Sequence, residues 1–248
     1  MSSDVNNLEN LKRLRLSDAR EQYQRLRDDS VSGSLSFAER LDIMLSAEIA
    51  GRTNRRIARR IKESGLRAVA YREEFSFETE RGITRSQLAN LLSLSWVASH
   101  HSVVVSGATG VGKTYLVSVI ATEAARADMT VRYHRTSDLI EKLALSRADG
   151  THRSVVGLYR KIDLLVLDDF GLSPIPISGS RELLEILDDR ADQASTVIAS
   201  QFPPESFHLL MEDKTAGDAI IDRVIHGALS ITLTGESMRK LRAQRPTL

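Results

Sequence analysis

The chain has 248 residues, with 34 basic and 33 acidic side chains, so its net charge of +1 favours no class of partner. A hydrophobic fraction of 42% and a charged fraction of 27% are ordinary for a globular protein and exclude a disordered chain. The absence of cysteine excludes a disulfide framework, a cysteine nucleophile and a thiolate metal site, and it fits a cytoplasmic protein. The apolar runs are too short to cross a membrane, so we expect no membrane partner.

Residues 1–66 are predicted to form a small all-helical domain. An amphipathic stretch begins at Leu8, and a turn-prone segment over residues 28–34 interrupts it. Ser36 and Glu39 then have the spacing of a capping box, which predicts the start of a long helix that ends at Gly65. Three apolar side chains of this helix are expected to face inward: Leu41, Met44 and Leu45.

Residues 67–100 are predicted to be a connector with one packing helix, for which Thr84 and Gln87 form a second capping box. Trp96 could border a nucleotide base there, but core packing is the more ordinary role of such a residue.

From residue 101 to residue 248, short β-rich runs alternate with helical segments. Strands are predicted over residues 102–106, 130–134, 163–168, 196–200 and 229–234. Helices are predicted over residues 113–126, 137–146, 179–192, 216–226 and 236–244. This alternation predicts an α/β fold, with a parallel five-stranded sheet between helices.

Residues 107–114 read GATGVGKT and match the phosphate-binding loop motif at every fixed position, between a β-rich run and a helical segment. Glycines allow backbone amides to approach phosphate oxygens, and the helix that follows directs its positive end at the same anion. Lys113 is expected to bind the β- and γ-phosphates, and the Thr114 hydroxyl to bind Mg²⁺. The predicted ATP-binding residues of the loop and the helix start are Gly107, Ala108, Thr109, Gly110, Val111, Gly112, Lys113, Thr114 and Tyr115.

Two carboxylates end the apolar run over residues 164–167, at the edge of a parallel sheet where ligands bind. Asp168 is expected to coordinate Mg²⁺ through water, and Asp169 to activate the attacking water as a general base. Gln201 follows the next predicted strand and could orient that water or sense the γ-phosphate. The structural alternatives are an acidic turn and a strand that simply meets solvent.

Hydrolysis of a nucleoside triphosphate requires positive charge beside the γ-phosphate in the transition state. Arg223 and Arg239 are the candidates, and a surface ion pair is the alternative reading of each.

Residues 51–72 contain eight basic side chains against one acidic side chain, Glu63. On a helix six of them fall on one arc, which predicts a cationic face that binds DNA phosphates with little sequence preference. The alternatives are a solvated basic face and a membrane-surface helix, for which the apolar face lacks the expected Trp, Phe and Leu. The predicted DNA-binding residues are these six, namely Arg52, Arg55, Arg56, Arg59, Arg60 and Lys62, and two from a second basic cluster, Arg147 and Arg153.

Several segments together resemble the IstB-like ATPases, AAA+ helper proteins of bacterial insertion sequences that are related to DnaC-type helicase loaders. These segments are the loop GATGVGKT, then LLVLDDFGL, STVIASQFP, DAIIDRVIHGA and GESMRK, and the helical region LSFAERLDIMLSAEIAGRTNRRIARRIKESGLR. The similarity spans about residues 8–243, and DDFGL with the DR and GESMR segments is more specific than the phosphate loop alone.

The resemblance implies an AAA+ ATPase that oligomerises on duplex DNA as a ring or spiral and assists a partner transposase in target selection and strand transfer. ATP hydrolysis at subunit interfaces would drive disassembly. The resemblance also implies that Arg223 reaches the ATP of a neighbouring subunit and that Arg239 acts as a sensor in its own subunit.

Three features depart from the wider AAA+ pattern. Gln201 stands where Asn is common, and Asp169 stands where Glu is common, so we expect slow turnover that DNA or a partner stimulates. Too few residues follow Gly235 for a full C-terminal lid.

Other functions remain open on the sequence alone. One alternative is a DnaC-like helicase loader, whose helical domain would bind a replicative helicase. A small-molecule P-loop kinase would need an acceptor-binding insert, and none is recognisable. A DNA-binding scaffold that uses ATP without hydrolysing it is the remaining alternative.

Overall fold

A computed structural model describes residues 3–29, 33–77, 81–225, 227–238 and 240. The chain divides into two compact units, residues 1–59 and residues 60–248, and the boundary falls inside one long helix. The predicted division into segments 1–66, 67–100 and 101–248 stays a prediction.

The first unit is helical, as predicted for this part of the chain. It contains α1 (Ser3–Arg13), α2 (Ser17–Asp28) and most of α3 (Phe37–Ser64). The capping box ahead of α3 is present, because the Ser36 amide donates to the Glu39 carboxylate and the Glu39 amide donates to the Ser36 hydroxyl. Helix α3 ends before Gly65, whose φ of +74° is a left-handed conformation that glycine adopts without strain.

A buried carboxylate joins α2 to α3. Glu48 accepts hydrogen bonds from the amides of Asp18 and Ala19, at 2.9 and 3.2 Å, and these amides lie at the first turn of α2, where no helical partner exists. Burial works to raise the pKa of Glu48, but the hydrogen bond from Arg52 and those from the two amides outweigh it, so the pKa lies below its usual value.

The prediction that Leu41 and Leu45 face inward is wrong, since they are 40% and 49% exposed, whereas Met44 is half-buried. Helix α2 meets α3 around Glu48 and Gly51. The two preceding turns of α3 lie beyond this contact, so their apolar side chains stay exposed.

The second unit is built on a five-stranded parallel sheet, and this part of the fold prediction is confirmed. The strand order is β2-β3-β4-β1-β5. The strands are β1 (Val103–Gly107), β2 (Val131–Arg135), β3 (Leu164–Phe170), β4 (Ser195–Ser200) and β5 (Leu229–Leu233). The helices are α4 (Arg85–Leu92), α5 (Ser95–Ala98), α6 (Lys113–Arg126), α7 (Thr136–Ala148), α8 (His152–Lys161), α9 (Ile177–Arg190) and α10 (Lys214–Ile220). Short 3₁₀ segments cover Arg72–Glu74 and Pro204–Leu210, and a π-helical turn covers Ile221–Ile225.

Helices pack on both faces of the sheet, and the central strands are buried. Trp96 lies in the core on the α6 face, 4% exposed, and its indole N–H donates to the Leu91 carbonyl at 2.8 Å. Core packing is therefore the role of Trp96, and a contact with a nucleotide base is not. The capping box of Thr84 and Gln87 is confirmed at the start of α4.

Two helical predictions have different outcomes. Helix α8 was not predicted, because the basic residues around it indicated an exposed cluster, yet it buries Val156 and Tyr159 against the core. The predicted helix over residues 236–244 lies largely outside the described residues. None of the described helices is long and apolar enough to cross a membrane.

Arg190, at the end of α9, is 1% exposed and acts as a structural donor. Its guanidinium donates to the carbonyls of Tyr159, Ile162 and Ser195 and to the Thr196 hydroxyl. Burial lowers the pKa of Arg190 to about 10, which still leaves it charged at neutral pH. One side chain thus satisfies main-chain groups at the starts of β3 and β4.

Replacing Arg190 with Met should lower the free energy of unfolding by about 3 kcal/mol or more, since several buried carbonyls lose their donor. Urea unfolding followed by circular dichroism would measure the loss. Arg160→Met is the matched control: it removes an exposed arginine paired with Asp189, and should cost no more than about 1 kcal/mol. Equal losses in the two variants would contradict the role of Arg190.

Candidate functional site

The loop between β1 and α6 has the backbone conformation of an anion cradle. Gly107, Gly110 and Gly112 have φ values of +142°, +88° and +109°. A β-carbon on Gly107 would lie 2.2 Å from the Leu233 carbonyl oxygen, so no larger residue fits there. Helix α6 begins at Lys113 and directs its unpaired amides toward the loop. The loop can therefore bind a phosphate chain through its backbone.

Lys113 places a cation inside this loop. Its ammonium donates to the carbonyls of Gly107 and Ala108, at 2.7 and 2.9 Å, and the residue is 8% exposed. Burial lowers the pKa of Lys113, and the charges of Asp168 and Asp169 act in the opposite direction. The side chain is thus held at the loop by the protein itself.

Asp168 is buried in β3 and has a fixed carboxylate. It is 1% exposed; one oxygen accepts from the Tyr133 hydroxyl at 2.6 Å, and the other from the Asp169 amide at 2.9 Å. Burial, with the hydrogen bond to Asp168, raises the pKa of Tyr133, so this hydroxyl stays a donor. These contacts hold the Asp168 carboxylate in one orientation.

Asp169 occupies an irregular position in the same strand. Its φ is +53°, and the pairing of β3 with β4 shifts register between Leu167 and Phe170. Its carboxylate lies 3.1 Å from the Nε of Arg135, which ends the neighbouring strand β2. Arg135 was not among the predicted site residues, because the pairing of β2 with β3 is not visible in the sequence.

Gln201 lies between the loop and the acidic pair. It follows β4, which pairs with β1 on one side and with β3 on the other. Its side-chain oxygen accepts a hydrogen bond from the Thr109 hydroxyl at 2.8 Å. The predicted loop, Lys113, both carboxylates and Gln201 therefore meet at one edge of the sheet.

Arg223 lies at the opposite edge of the sheet, where the strands begin. It lines a small cavity with Ser102 and Thr196, residues that precede β1 and begin β4. Its guanidinium contacts Asp188 at 2.6 Å and Asp222 at 3.2 Å, and the hydrogen bond to Asp188 raises its pKa. The length of β1, about 13 Å, separates this edge from the phosphate loop of the same chain. Arg239, the second predicted arginine, lies outside the described residues.

The predicted DNA-binding residues differ in their surroundings. Arg52 pairs with Glu48 at 2.8 Å, and Arg55 with Asp18 at 2.6 Å. In the second unit, the Arg60 guanidinium lies 3.4 Å from Asp128, and Arg147 pairs with Glu182. Exposed side chains on α3 and α8 also include Arg56, Arg59, Lys62 and Arg153. The tertiary structure thus supplies carboxylates that the local charge balance did not include.

The sequence profile of the family described as "IstB-like ATP binding protein" matches residues 9–246. The chain is 35% identical to the insertion sequence ATP-binding protein y4pL of Sinorhizobium fredii over 233 residues, which cover 94% of this chain and 95% of the relative. It is 36% identical to the ATP-binding protein of insertion sequence IS1162 of Pseudomonas fluorescens, over 69% of this chain and 75% of the relative.

Two solved structures share the fold. The crystal structure of DnaI superposes with a TM-score of 0.57 at 23% identity, over 71% of this chain and 94% of that chain. The replication initiator DnaA, bound to AMPPCP and single-stranded DNA, superposes with a TM-score of 0.54 at 19% identity, over 69% of this chain and 52% of that chain. At these identities the likeness shows a shared fold and no more.

Lys113→Ala should abolish ATP binding, because it removes the cation held at the loop. Isothermal titration calorimetry would measure the affinity. Lys214→Ala is a matched control, since Lys214 also donates to two main-chain carbonyls, those of His208 and Leu209, away from the loop. ATP binding retained by Lys113→Ala at the affinity of the unchanged protein would contradict the role of the loop.

Proposed function

Because this chain belongs to the family of IstB-like ATP-binding proteins, we propose that it is an ATPase of an insertion sequence, converting ATP and water to ADP and phosphate in the cytoplasm. The observation that carries the proposal is the meeting of Lys113, Asp168, Asp169 and Gln201 at the phosphate loop. The relatives are named for ATP binding, so hydrolysis is our addition.

The residues present fit a magnesium ion. The Thr114 hydroxyl and the Asp168 carboxylate are hard oxygen ligands, and each Asp168 oxygen keeps a lone pair beyond its present hydrogen bond. Mg²⁺ usually takes few protein ligands and completes its shell with water and phosphate oxygens. When bound, it would neutralise charge on the β- and γ-phosphates.

Asp169 is the proposed general base, with Gln201 orienting the attacking water. The carboxylate lies 3.1 Å from the Nε of Arg135, so it is engaged in an ion pair and not with an attacking water. Aspartate is also one methylene shorter than the glutamate common at this position. Both features favour slow turnover, which DNA or a partner would stimulate by drawing Arg135 away.

We assign Arg223 to the ATP of a neighbouring subunit. It lies about the length of β1 away from its own phosphate loop, so it cannot serve the site of its own chain. A homo-oligomer, as a ring or spiral, would bring it to the γ-phosphate of the next subunit. ATP would then join subunits, and hydrolysis would release them.

Duplex DNA is the proposed ligand of the cationic face of α3. Arg56, Arg59 and Lys62 are exposed there, and phosphate contacts would give binding without base readout. Arg60 has an exposed partner, Asp128, and such pairs are worth only about 0–1 kcal/mol, so phosphates can compete for it. Arg52 and Arg55 differ, because both contact Glu48, which is buried and would lose its partners. Arg147 and Arg153 would form a second contact.

The protein partner that we propose is the transposase of the same insertion sequence, which this ATPase would assist in target selection and strand transfer. The sequence relatives reported above come from insertion sequences, and this supports a transposase over a replicative helicase. The likeness to DnaI is one of fold alone, so the helicase-loader alternative has no further support.

Arg223→Ala should leave ATP bound and lower hydrolysis by about 10³-fold or more, because an arginine in trans stabilises the transition-state charge. Mixing Arg223→Ala subunits with Asp169→Asn subunits should restore part of the phosphate release, since mixed interfaces contain one intact site. Arg181→Ala is the control, as Arg181 is an exposed, ion-paired arginine of α9. Mixtures that stay inactive would contradict the assignment in trans.

Replacing Arg56 and Arg59 together by Gln should weaken duplex binding equally on unrelated sequences. The slope of log affinity against log salt should fall by about 2 in magnitude, one for each arginine that no longer neutralises a phosphate. Fluorescence anisotropy over a salt series would measure both. The control replaces Arg25 and Arg27 of α2, which removes the same charge from a different helix. An unchanged slope in the first variant would exclude phosphate binding by these two arginines.

A further inference from the structure

One side-chain hydrogen bond joins the phosphate loop to the neighbouring strand. The Thr109 hydroxyl donates to the side-chain oxygen of Gln201 at 2.8 Å. Thr109 lies within the loop after β1, and Gln201 directly follows β4. Because β4 pairs with β1 on one side and with β3 on the other, Gln201 lies between the loop and the two carboxylates. The contact therefore adjoins the place where the proposed hydrolysis would occur.

The main chain on both sides of Gln201 is anchored to the end of the acidic strand. Ser200 is fully buried, and its hydroxyl donates to the Phe170 carbonyl at 2.8 Å and accepts from the Phe202 amide at 3.1 Å. Phe170 follows Asp169, so this link fixes the backbone of Gln201 beside the carboxylate pair. The orientation of the Gln201 side chain is then left to the contacts of its carboxamide.

Thr109 determines which end of the Gln201 carboxamide meets the loop. A glutamine side chain has several rotatable bonds, so it keeps one orientation only where a contact fixes it. Its carboxamide oxygen accepts hydrogen bonds, and its nitrogen donates them. The oxygen is engaged by Thr109, and within the described part of the chain the half-buried Gln201 nitrogen has no partner. Its N–H groups are therefore available to an acceptor that arrives with the ligand.

The orientation of the carboxamide matters because the terminal phosphate of a nucleotide is an anion. An N–H group that faces a phosphate oxygen forms a charge-assisted hydrogen bond, whereas a carbonyl oxygen in the same place is repelled. A nucleoside diphosphate has no third phosphate to accept this bond. A carboxamide whose oxygen is held by Thr109 thus favours the triphosphate.

We propose that Thr109 is a positioning residue, whose hydroxyl fixes the Gln201 carboxamide with its N–H groups toward the terminal phosphate, so that the site prefers a nucleoside triphosphate to a diphosphate. The inference rests on the proposed ATP binding and deepens it, because it names the contact that distinguishes substrate from product. Hydrolysis would remove the acceptor of the N–H groups, and the lower affinity for ADP would let the product leave.

The test compares the affinity for AMPPCP, an ATP analogue with a methylene group between its β- and γ-phosphates, with the affinity for ADP. Thr109→Val should lower the ratio of the two affinities by about 3- to 10-fold, the effect of one lost hydrogen bond. Thr109→Ser keeps the hydroxyl and should restore the ratio. Calorimetry would measure both affinities, and any change common to the two nucleotides cancels in the ratio.

Thr151→Val is the matched control for the loss of a threonine hydroxyl. Thr151 is exposed, and its hydroxyl donates to the Asp149 side chain at 2.6 Å, in the loop between α7 and α8. This variant should keep the affinity ratio of the unchanged protein.

A double variant tests whether Thr109 acts through Gln201. Gln201→Leu removes the carboxamide and should lower the ratio at least as much as Thr109→Val, because the N–H donors themselves are lost. Thr109→Val added to Gln201→Leu should then lower the ratio no further, as expected of two residues that act as a unit. Additive losses in the double variant would contradict the positioning role.

The outcomes separate this inference from the proposed function. A ratio unchanged by Thr109→Val, including equal weakening of AMPPCP and ADP, would overturn the positioning role and leave the ATPase proposal standing. An unchanged protein that binds AMPPCP no better than ADP would overturn it as well. Failure of the unchanged protein to bind either nucleotide would instead count against the ATPase. Thr109 is exposed, so Thr109→Val should fold, and Thr109→Ala replaces it, with the same expected loss, if a thermal melt shows otherwise.

Discussion

The parallel direction of the five strands is the constraint on which the rest of this molecule depends. In the order β2-β3-β4-β1-β5, strand β4 separates the loop strand from the acidic strand. Because parallel strands end at the same edge, the loop after β1, the carboxylates of β3 and the amide after β4 meet there. Neighbouring strands are about 4.8 Å apart, so β1 and β3, which lie on either side of β4, are about 10 Å apart.

The same constraint gives the sheet two chemically different edges. The edge where the strands end holds the phosphate loop, whose glycines and fixed lysine can bind an anion. The opposite edge holds Arg223, exposed beside Asp188 and Asp222. A chain built in this way offers a binding site at one edge and a cation at the other. Head-to-tail association of copies would join the two, and such heterologous contacts generate rings or helical assemblies.

Intramolecular ion pairs involve many of the arginine side chains of this protein. Many of its arginines lie beside carboxylates of the same unit, including Arg55 beside Asp18 and Arg223 beside Asp188. The pair of Arg223 with Asp188 is exposed and weak, so a partner can replace the carboxylate at little cost. Arg190 and Glu48 are different because they are buried, and their hydrogen bonds hold main-chain groups together. Burial therefore separates the structural charges from those available for ligands.

The sequence by itself determined the element types, the phosphate loop and the acidic strand, because these depend on local patterns. Helix α6 begins and ends where the sequence predicted, at Lys113 and Arg126, since the loop motif and the apolar run fix its start and length. Both capping boxes formed for the same reason. Helix α8 was missed because basic residues masked a short apolar face.

Only the tertiary structure decided which distant residues meet. It placed Arg135 beside Asp169 and Thr109 beside Gln201, and it left Leu41 and Leu45 exposed. These outcomes depend on strand order and on where one helix stops covering another, and neither is encoded in the spacing of residues along one segment. Local chemistry thus follows from neighbours in the chain, while the completion of the site follows from neighbours in space.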